Sequence, residues 1–383
     1  MSIPVFIQSQ EEFIGLAEHL NRLEAFAIDT EFDNNHYAYG FKLCLLQIAT
    51  PDACYLIDPF EIQDLSSLWR VLENPNVEKV LHDSGEDMRL FYLHGCSPRG
   101  IFDTSIATKL LNFEKIGLGS VLNEVLGIES DKKKQQSNWL KRPLLPLQLE
   151  YATNDVIYLL KLREVFTERL QAQNRWEWFQ QSMLFLEQKN YAPKTKSTFL
   201  SFKEQKEFHP FDQYILNELY RFRDEQAQRI SKPVYQVIPE SIIYEILQQP
   251  AVLDDWMSLK GIHYRIQNEL VAEKFKAIYQ QAQRAAEDSQ LPKFKRQLSR
   301  QEIAEAQQRA TRINALRDGI FLPIKRWIEQ QYSLLFAPYV LSNETISQLI
   351  LGEAKLSDIG PTFQQNIIKE AALALEIDIS AFC

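Results

Sequence analysis

The chain has 383 residues, 45% of them hydrophobic and 24% charged, which describes a soluble globular protein with material for two or three domains. Its formal charge of −9 is uneven: residues 1–165 hold 15 Lys and Arg against 24 Asp and Glu, whereas 166–383 hold 27 of each. That balance argues against a protein that simply coats nucleic acid, and the sequence shows no basic leader, no run of roughly 18 apolar residues and no C-x-x-C pair. A cytoplasmic location follows, with Cys44, Cys54, Cys96 and Cys383 read as reduced, structural thiols.

Ser9 stands three residues before Glu12 and ahead of Phe13, Ile14, Leu16, Ala17 and Leu20, a capping-box start to a short amphipathic helix. A strand follows at 25–32. Lys42–Ala49 and Ala53–Asp58 flank Thr50-Pro51-Asp52 and read as a hairpin. Leu65–Leu72 reads as a helix and Val77–His82 as a buried strand entering a helix at Ser84, where Ser84 and Asp87 have capping-box spacing. A short strand at 100–104 leads into a helix Ser105–Leu111, and Leu118–Leu126 forms another. Residues 131–143 make a basic loop around Trp139, suited either to solvated surface or to phosphate contact and base stacking.

The helix expected over Leu147–Leu160 puts Tyr151 and Asp155 on one face, and its pattern continues to about Tyr191. The rest is helical. The domain plan is therefore 1–191 as an α/β unit, 192–207 as a linker, 208–287 as a helical unit, 288–300 as a second linker and 301–383 as a second helical unit.

In Phe26-Ala27-Ile28-Asp29-Thr30-Glu31-Phe32, strand alternation points Asp29 and Glu31 the same way. Like charges so placed repel unless a cation lies between them or one holds a proton. Asp87 and Asp155 are the further acidic candidates, and an all-oxygen ligand set favours Mg²⁺ or Mn²⁺ over zinc. Two such ions roughly 4 Å apart can activate a water and stabilise the leaving oxygen in phosphodiester hydrolysis. No glycine-rich phosphate loop, nucleophile elbow or H-E-x-x-H competes with this reading.

Asp29-Thr30-Glu31-Phe32, His82 through Asp87, and Tyr151 through Asp155 resemble the three motifs of the DEDDy branch of the DnaQ-like 3′→5′ exonucleases. Lys132, Gln135, Trp139, Arg142-Pro143-Leu144 and Gln148 resemble the ribonuclease D family, and the helical repeats are similar to its paired HRDC domains. The resemblance implies a ribonuclease H-like nuclease domain with a mixed sheet and flanking helices, followed by two all-α HRDC-like domains. It implies Asp29, Glu31, Asp87, Tyr151 and Asp155 as catalytic residues. The four carboxylates would hold two divalent cations, with Asp29 touching both, and Tyr151 would position the attacking water. Thr30, Phe32, His82, Lys132, Trp139 and Arg142 would meet substrate, although Arg142 could equally brace its loop and His82 could be structural. Gln47 and Asp103 are expected in buried hydrogen-bonding roles. The implied substrate is RNA with a free 3′ end, transfer RNA precursors above all, handled by a monomer without membrane attachment. Asn138 and Asp83 depart from the family pattern outside the metal-ligand positions. Two rivals remain open at this point: a single-stranded DNA exonuclease, and an inert nuclease fold serving as a nucleic-acid tether.

Overall fold

The β-rich runs of the first half form one six-stranded mixed sheet. In chain order they are β1 (Val5–Ile7), β2 (Ala25–Asn34), β3 (Phe41–Ala49), β4 (Cys54–Ile57), β5 (Glu78–Leu81) and β6 (Ile101–Asp103), and in space β1-β4-β3-β2-β5-β6. β3 and β4 pair antiparallel across the Thr50–Ala53 turn, as expected, while β1 with β4, β2 with β5 and β5 with β6 are parallel. The three-residue edge strand β1 is too short to show a period of its own and was not anticipated. The molecule is described by a computed structural model at residues 4–129, 137–193, 197–296 and 299–383.

Helices α1 (Gln10–Leu20), α2 (Ser66–Glu73), α3 (Gly85–Leu93), α4 (Thr104–Leu110), α5 (Leu118–Leu126), α6 (Pro146–Asn154), α7 (Leu159–Ala172) and α8 (Trp176–Gln188) accompany the sheet. The Ser9 and Glu12 capping box forms at α1. Two expectations change. The long helix through Asp155 breaks after Asn154, with turn bonds from Val156 N–H to Thr153 O and from Leu159 N–H to Val156 O before α7 starts. A second break falls at Asn174, which takes φ 56°, a left-handed conformation that Asn tolerates. The sheet interior is continuous apolar packing: Phe26, Ile28, Leu46, Ile48, Leu56, Ile57, Val80 and Phe102 are all fully buried.

The chain divides into two compact units, one of Met1–Glu31, Leu43–Ala192 and Glu302–Cys383, the other of Phe32–Lys42 and Pro193–Gln301. The last 82 residues therefore pack with the part that carries the sheet instead of standing alone as a third unit. Trp178 of α8 stacks on Phe363 with ring centroids 5.1 Å apart and planes 9° apart, and Tyr339 Oη donates to Ser182 Oγ at 2.8 Å. In the other unit, helix Pro210–Ile230 lies against Glu269–Asp288 over a core of Leu216, Leu219, Trp256 and Phe275. The expected 192–207 linker is shorter than its composition suggests. Ser201 caps a helix at Phe202–Glu207, and buried Glu204 accepts hydrogen bonds from Tyr220 and Tyr244 at 2.5 and 2.7 Å. Among the described residues no helix is long and apolar enough to cross a membrane.

Candidate active site

The register of the sheet creates the site. β2 pairs with β5 from Ala25 to Ala27, and β5 ends at Leu81, so the second half of β2 runs on without that neighbour. Asp29 and Glu31 lie on this extension, and the first turn of α3 brings Asp87 alongside. Asp155 comes from the end of α6, where its N–H still bonds Tyr151 O at 3.2 Å and keeps both residues on one face despite the helix break.

Ligand oxygens of Asp29, Glu31 and Asp155 all lie within 4.8 Å of one another. Asp87 is not a fourth member of that trio. It stands beside it, buried, accepting a 2.5 Å hydrogen bond from Thr30 Oγ1 at its Oδ1. All four carboxyls are pushed up. Burial is the first cause for Asp29, followed by the charges of Asp87, Asp155 and Glu31; Glu31 is raised by burial and then by Asp155 and Asp87. Burial carries Asp87 to about 7 against the opposing Thr30 bond, and Asp155 to about 7 against the bond from Tyr151. Four oxygen donors that resist ionisation together are what a hard divalent cation relieves. The Tyr151 phenol is raised by burial and then by Asp155 and Glu31, so it stays protonated and acts as a hydrogen-bonding hydroxyl, not as a phenolate.

This arrangement has a sign-determined consequence for stability. Folded, metal-free protein holds protons on Asp87 and Asp155 to about pH 7, whereas an unfolded chain releases them near about pH 4. The native state binds more protons across that window, so stability falls as pH rises through it. Thermal melts in chelator are expected to show a melting temperature that declines by about 5 °C or more between pH 5 and pH 8. A flat or rising curve would contradict the raised carboxyls.

The capping-box reading of Ser84 and Asp87 does not hold: Ser84 makes no side-chain cap bond, and its Oγ and N–H instead reach Asp103 Oδ2 at 2.8 and 2.9 Å. Buried Asp103 also accepts from the N–H groups of Asp83 and Ser105, capping α4. Burial would raise its pKa, but His82 and these donors outweigh it and hold the carboxyl low. Asp103 thus ties the turn entering α3 to the start of α4. His82 is held by the same corner. His82 Nδ1 hydrogen-bonds Thr104 Oγ1 at 2.8 Å, and Thr104 Oγ1 also reaches Leu81 O at 2.9 Å. Asp83 takes φ 59°, so the residue that departs from the family pattern occupies a left-handed position in the turn.

Three of the residues expected to meet substrate are engaged within the fold. Thr30 is 5% exposed with its hydroxyl turned to Asp87, so its side chain does not face solvent. Trp139 is 2% exposed in a cluster with Cys44, Leu45, Leu56 and Ala152, which leaves no open ring face for a base. Arg142 uses all five donors: Nε and Nη2 on Asp58, Nη1 on Trp139 O and Lys141 O, and Nη2 on Cys44 O. It braces its loop and has no donor to spare for phosphate. Phe32 is half-buried, edge-on to Phe41 at 4.9 Å. Lys132 lies outside the described residues. Gln47 is fully buried as expected, yet neither atom of its amide finds a partner among the described residues. Cys44, Cys54 and Cys96 are buried thiols, and burial pushes Cys54 up to about 11 and Cys96 up to about 12.

An acidic cluster lies at the end of a mixed six-stranded sheet on a ribonuclease H-like fold, and residues 4–171 match the family model described as 3′-5′ exonuclease, which makes this part of the chain a 3′→5′ exonuclease domain. The ribonuclease D of Desulfotalea psychrophila is 33% identical over 251 residues, covering 62% of this chain and 66% of that one. That of Xanthomonas oryzae pv. oryzae is 31% identical over 247 residues, covering 62% and 68%. The chain belongs to the ribonuclease D family, and its nuclease domain is that of a 3′→5′ exoribonuclease. These matches span about two thirds of the relatives' length. The crystal structure of Escherichia coli RNase D, described as an exoribonuclease involved in structured RNA processing, shares the fold over 98% of both chains with a TM-score of 0.72 at 23% identity.

Proposed function

We propose that the protein trims structured RNA from the 3′ end, one nucleotide at a time as 5′-monophosphates, with two Mg²⁺ or Mn²⁺ ions and with transfer RNA precursors among its substrates. The observation that carries this is the convergence of Asp29, Glu31 and Asp155 within 4.8 Å, with Asp87 alongside. Asp29, Glu31 and Asp155, with Asp87 beside them, would hold the ions. When bound, such ions activate water and stabilise the leaving oxygen of an in-line displacement. The chain's own contribution is placement: Tyr151, protonated and bonded to Asp155, orients a water at the edge of the trio.

The helical segments are read as HRDC-like, working in a cytoplasmic monomer. In the smaller unit, Tyr264 is 72% exposed beside Arg265 and stacks on His263 with centroids 4.7 Å apart, an aromatic and cationic patch suited to single-stranded bases. The test is mononucleotide release from 3′-labelled RNA and matched DNA, with Mg²⁺, with Mn²⁺ and with chelator. Metal-dependent release from RNA is the expected result. Release from DNA alone would transfer the reading to a DNA exonuclease, and no release from either would sink catalysis.

A further inference from the structure

Thr30 sits between the two carboxylates of β2, and strand alternation turns it to the face opposite Asp29 and Glu31. A threonine there would ordinarily be a neutral strand-former. Here its hydroxyl reaches across to α3 and donates to Asp87 Oδ1 at 2.5 Å, with both residues buried at 5% exposure. The bond crosses the place where the β2 and β5 ladder has ended, so in this stretch it substitutes for main-chain pairing between β2 and the segment that follows β5. Asp87 is also the strongest of the charges acting on Asp29. The strand that carries Asp29 and Glu31 therefore also holds the carboxylate supplied by a different element.

We infer that Thr30 is a positioning residue for the metal centre: its hydroxyl fixes the Asp87 carboxylate relative to Asp29, so that the α3 side of the site is preformed. The inference rests on the proposed metal-dependent reading. Its physical basis is the general one that a partner bonded to a ligating carboxylate orients it and is worth about 10- to 100-fold in metal affinity. Thr30 does not touch RNA in this account, since its side chain is enclosed.

The experiment is Mn²⁺ titration of the full-length protein by calorimetry, comparing wild type with Thr30→Val, which keeps shape and removes the donor, and Thr30→Ser, which keeps the donor. Asp87→Asn marks the binding step that depends on Asp87. Thr30→Val is expected to weaken that step by about tenfold or more, with Thr30→Ser near wild type and with Thr30→Val adding little in an Asp87→Asn background. Wild-type Mn²⁺ binding in Thr30→Val would overturn the inference. Should Thr30→Val fail to fold, Thr30→Ala against Thr30→Ser decides, and equal losses in the two would overturn it as well. If the wild-type protein binds no Mn²⁺ and releases no nucleotide, the proposed function fails, a result distinct from normal metal binding in the Thr30 variants.

Discussion

Asp29→Asn is expected to lower metal-dependent nucleotide release by about 10³-fold or more, a barrier increase of about 4 kcal/mol. The side chain keeps its size, so the loss is electrostatic: one of three converging oxygen ligands becomes a neutral amide, and Asp29 is a carboxyl on which the charges of all three others act. The same substitution has an opposite effect on the metal-free protein. Burial and the charges of Asp87, Asp155 and Glu31 raise Asp29, so removing its charge relieves repulsion. In chelator at neutral pH, Asp29→Asn should melt higher than wild type, by about 5 °C, and should gain less from added Mg²⁺. Inactivity with a lowered melting temperature would mean a folding defect instead, and full activity would remove Asp29 from the mechanism.

Tyr151→Phe is expected to reduce the turnover number by about 10²-fold, the lower end of what a positioned hydroxyl contributes to proton-transfer steps. The ring would stay where it is, against Trp139 at 6.3 Å and the Cys44, Leu45 and Ala152 cluster. What disappears is the hydroxyl bonded to Asp155. Because that bond lowers Asp155 against the effect of burial, its loss pushes the carboxyl further up, so metal activation should shift to higher pH. Single-turnover rates across pH, together with Mn²⁺ affinity at pH 8, separate the two effects. A large fall in affinity at pH 8 with an unchanged rate at saturating metal would make Tyr151 a support for Asp155 and not a water-positioning group.

The carboxylates of the candidate site were legible because their spacing is local. Asp29 and Glu31 share a strand face by alternation, and Tyr151 and Asp155 are one helical turn apart, a relation that survives even though the helix ends at Asn154. The contacts of the intervening loop were not legible. A tryptophan and an arginine in a basic stretch fit base stacking and phosphate binding as well as they fit the roles they have, and composition does not distinguish the two. Arg142 closes on Asp58, 84 residues earlier, and Trp139 is buried against Cys44. Asp103 is expected from the sequence in a buried hydrogen-bonding role, but a buried carboxylate needs donors, and those lie in the turn before α3, where only the fold brings Asp83 and Ser84 to it.

Alternation, helical spacing and turn chemistry, all acting over a few residues, were enough by themselves to determine five of the six strands, most of the helices and the acidic motifs of this protein. Tertiary structure decided what depends on closure over long separations. It ended β5 at Leu81 so that Asp87 could approach β2, and it placed Asp155 against Asp29 and Glu31. It also packed the last helical segment with the nuclease-like part through Trp178, Phe363 and Tyr339. Each of these joins surfaces far apart in sequence, where the choice of partner is set by the shape and burial of the whole and leaves no periodic trace in either segment.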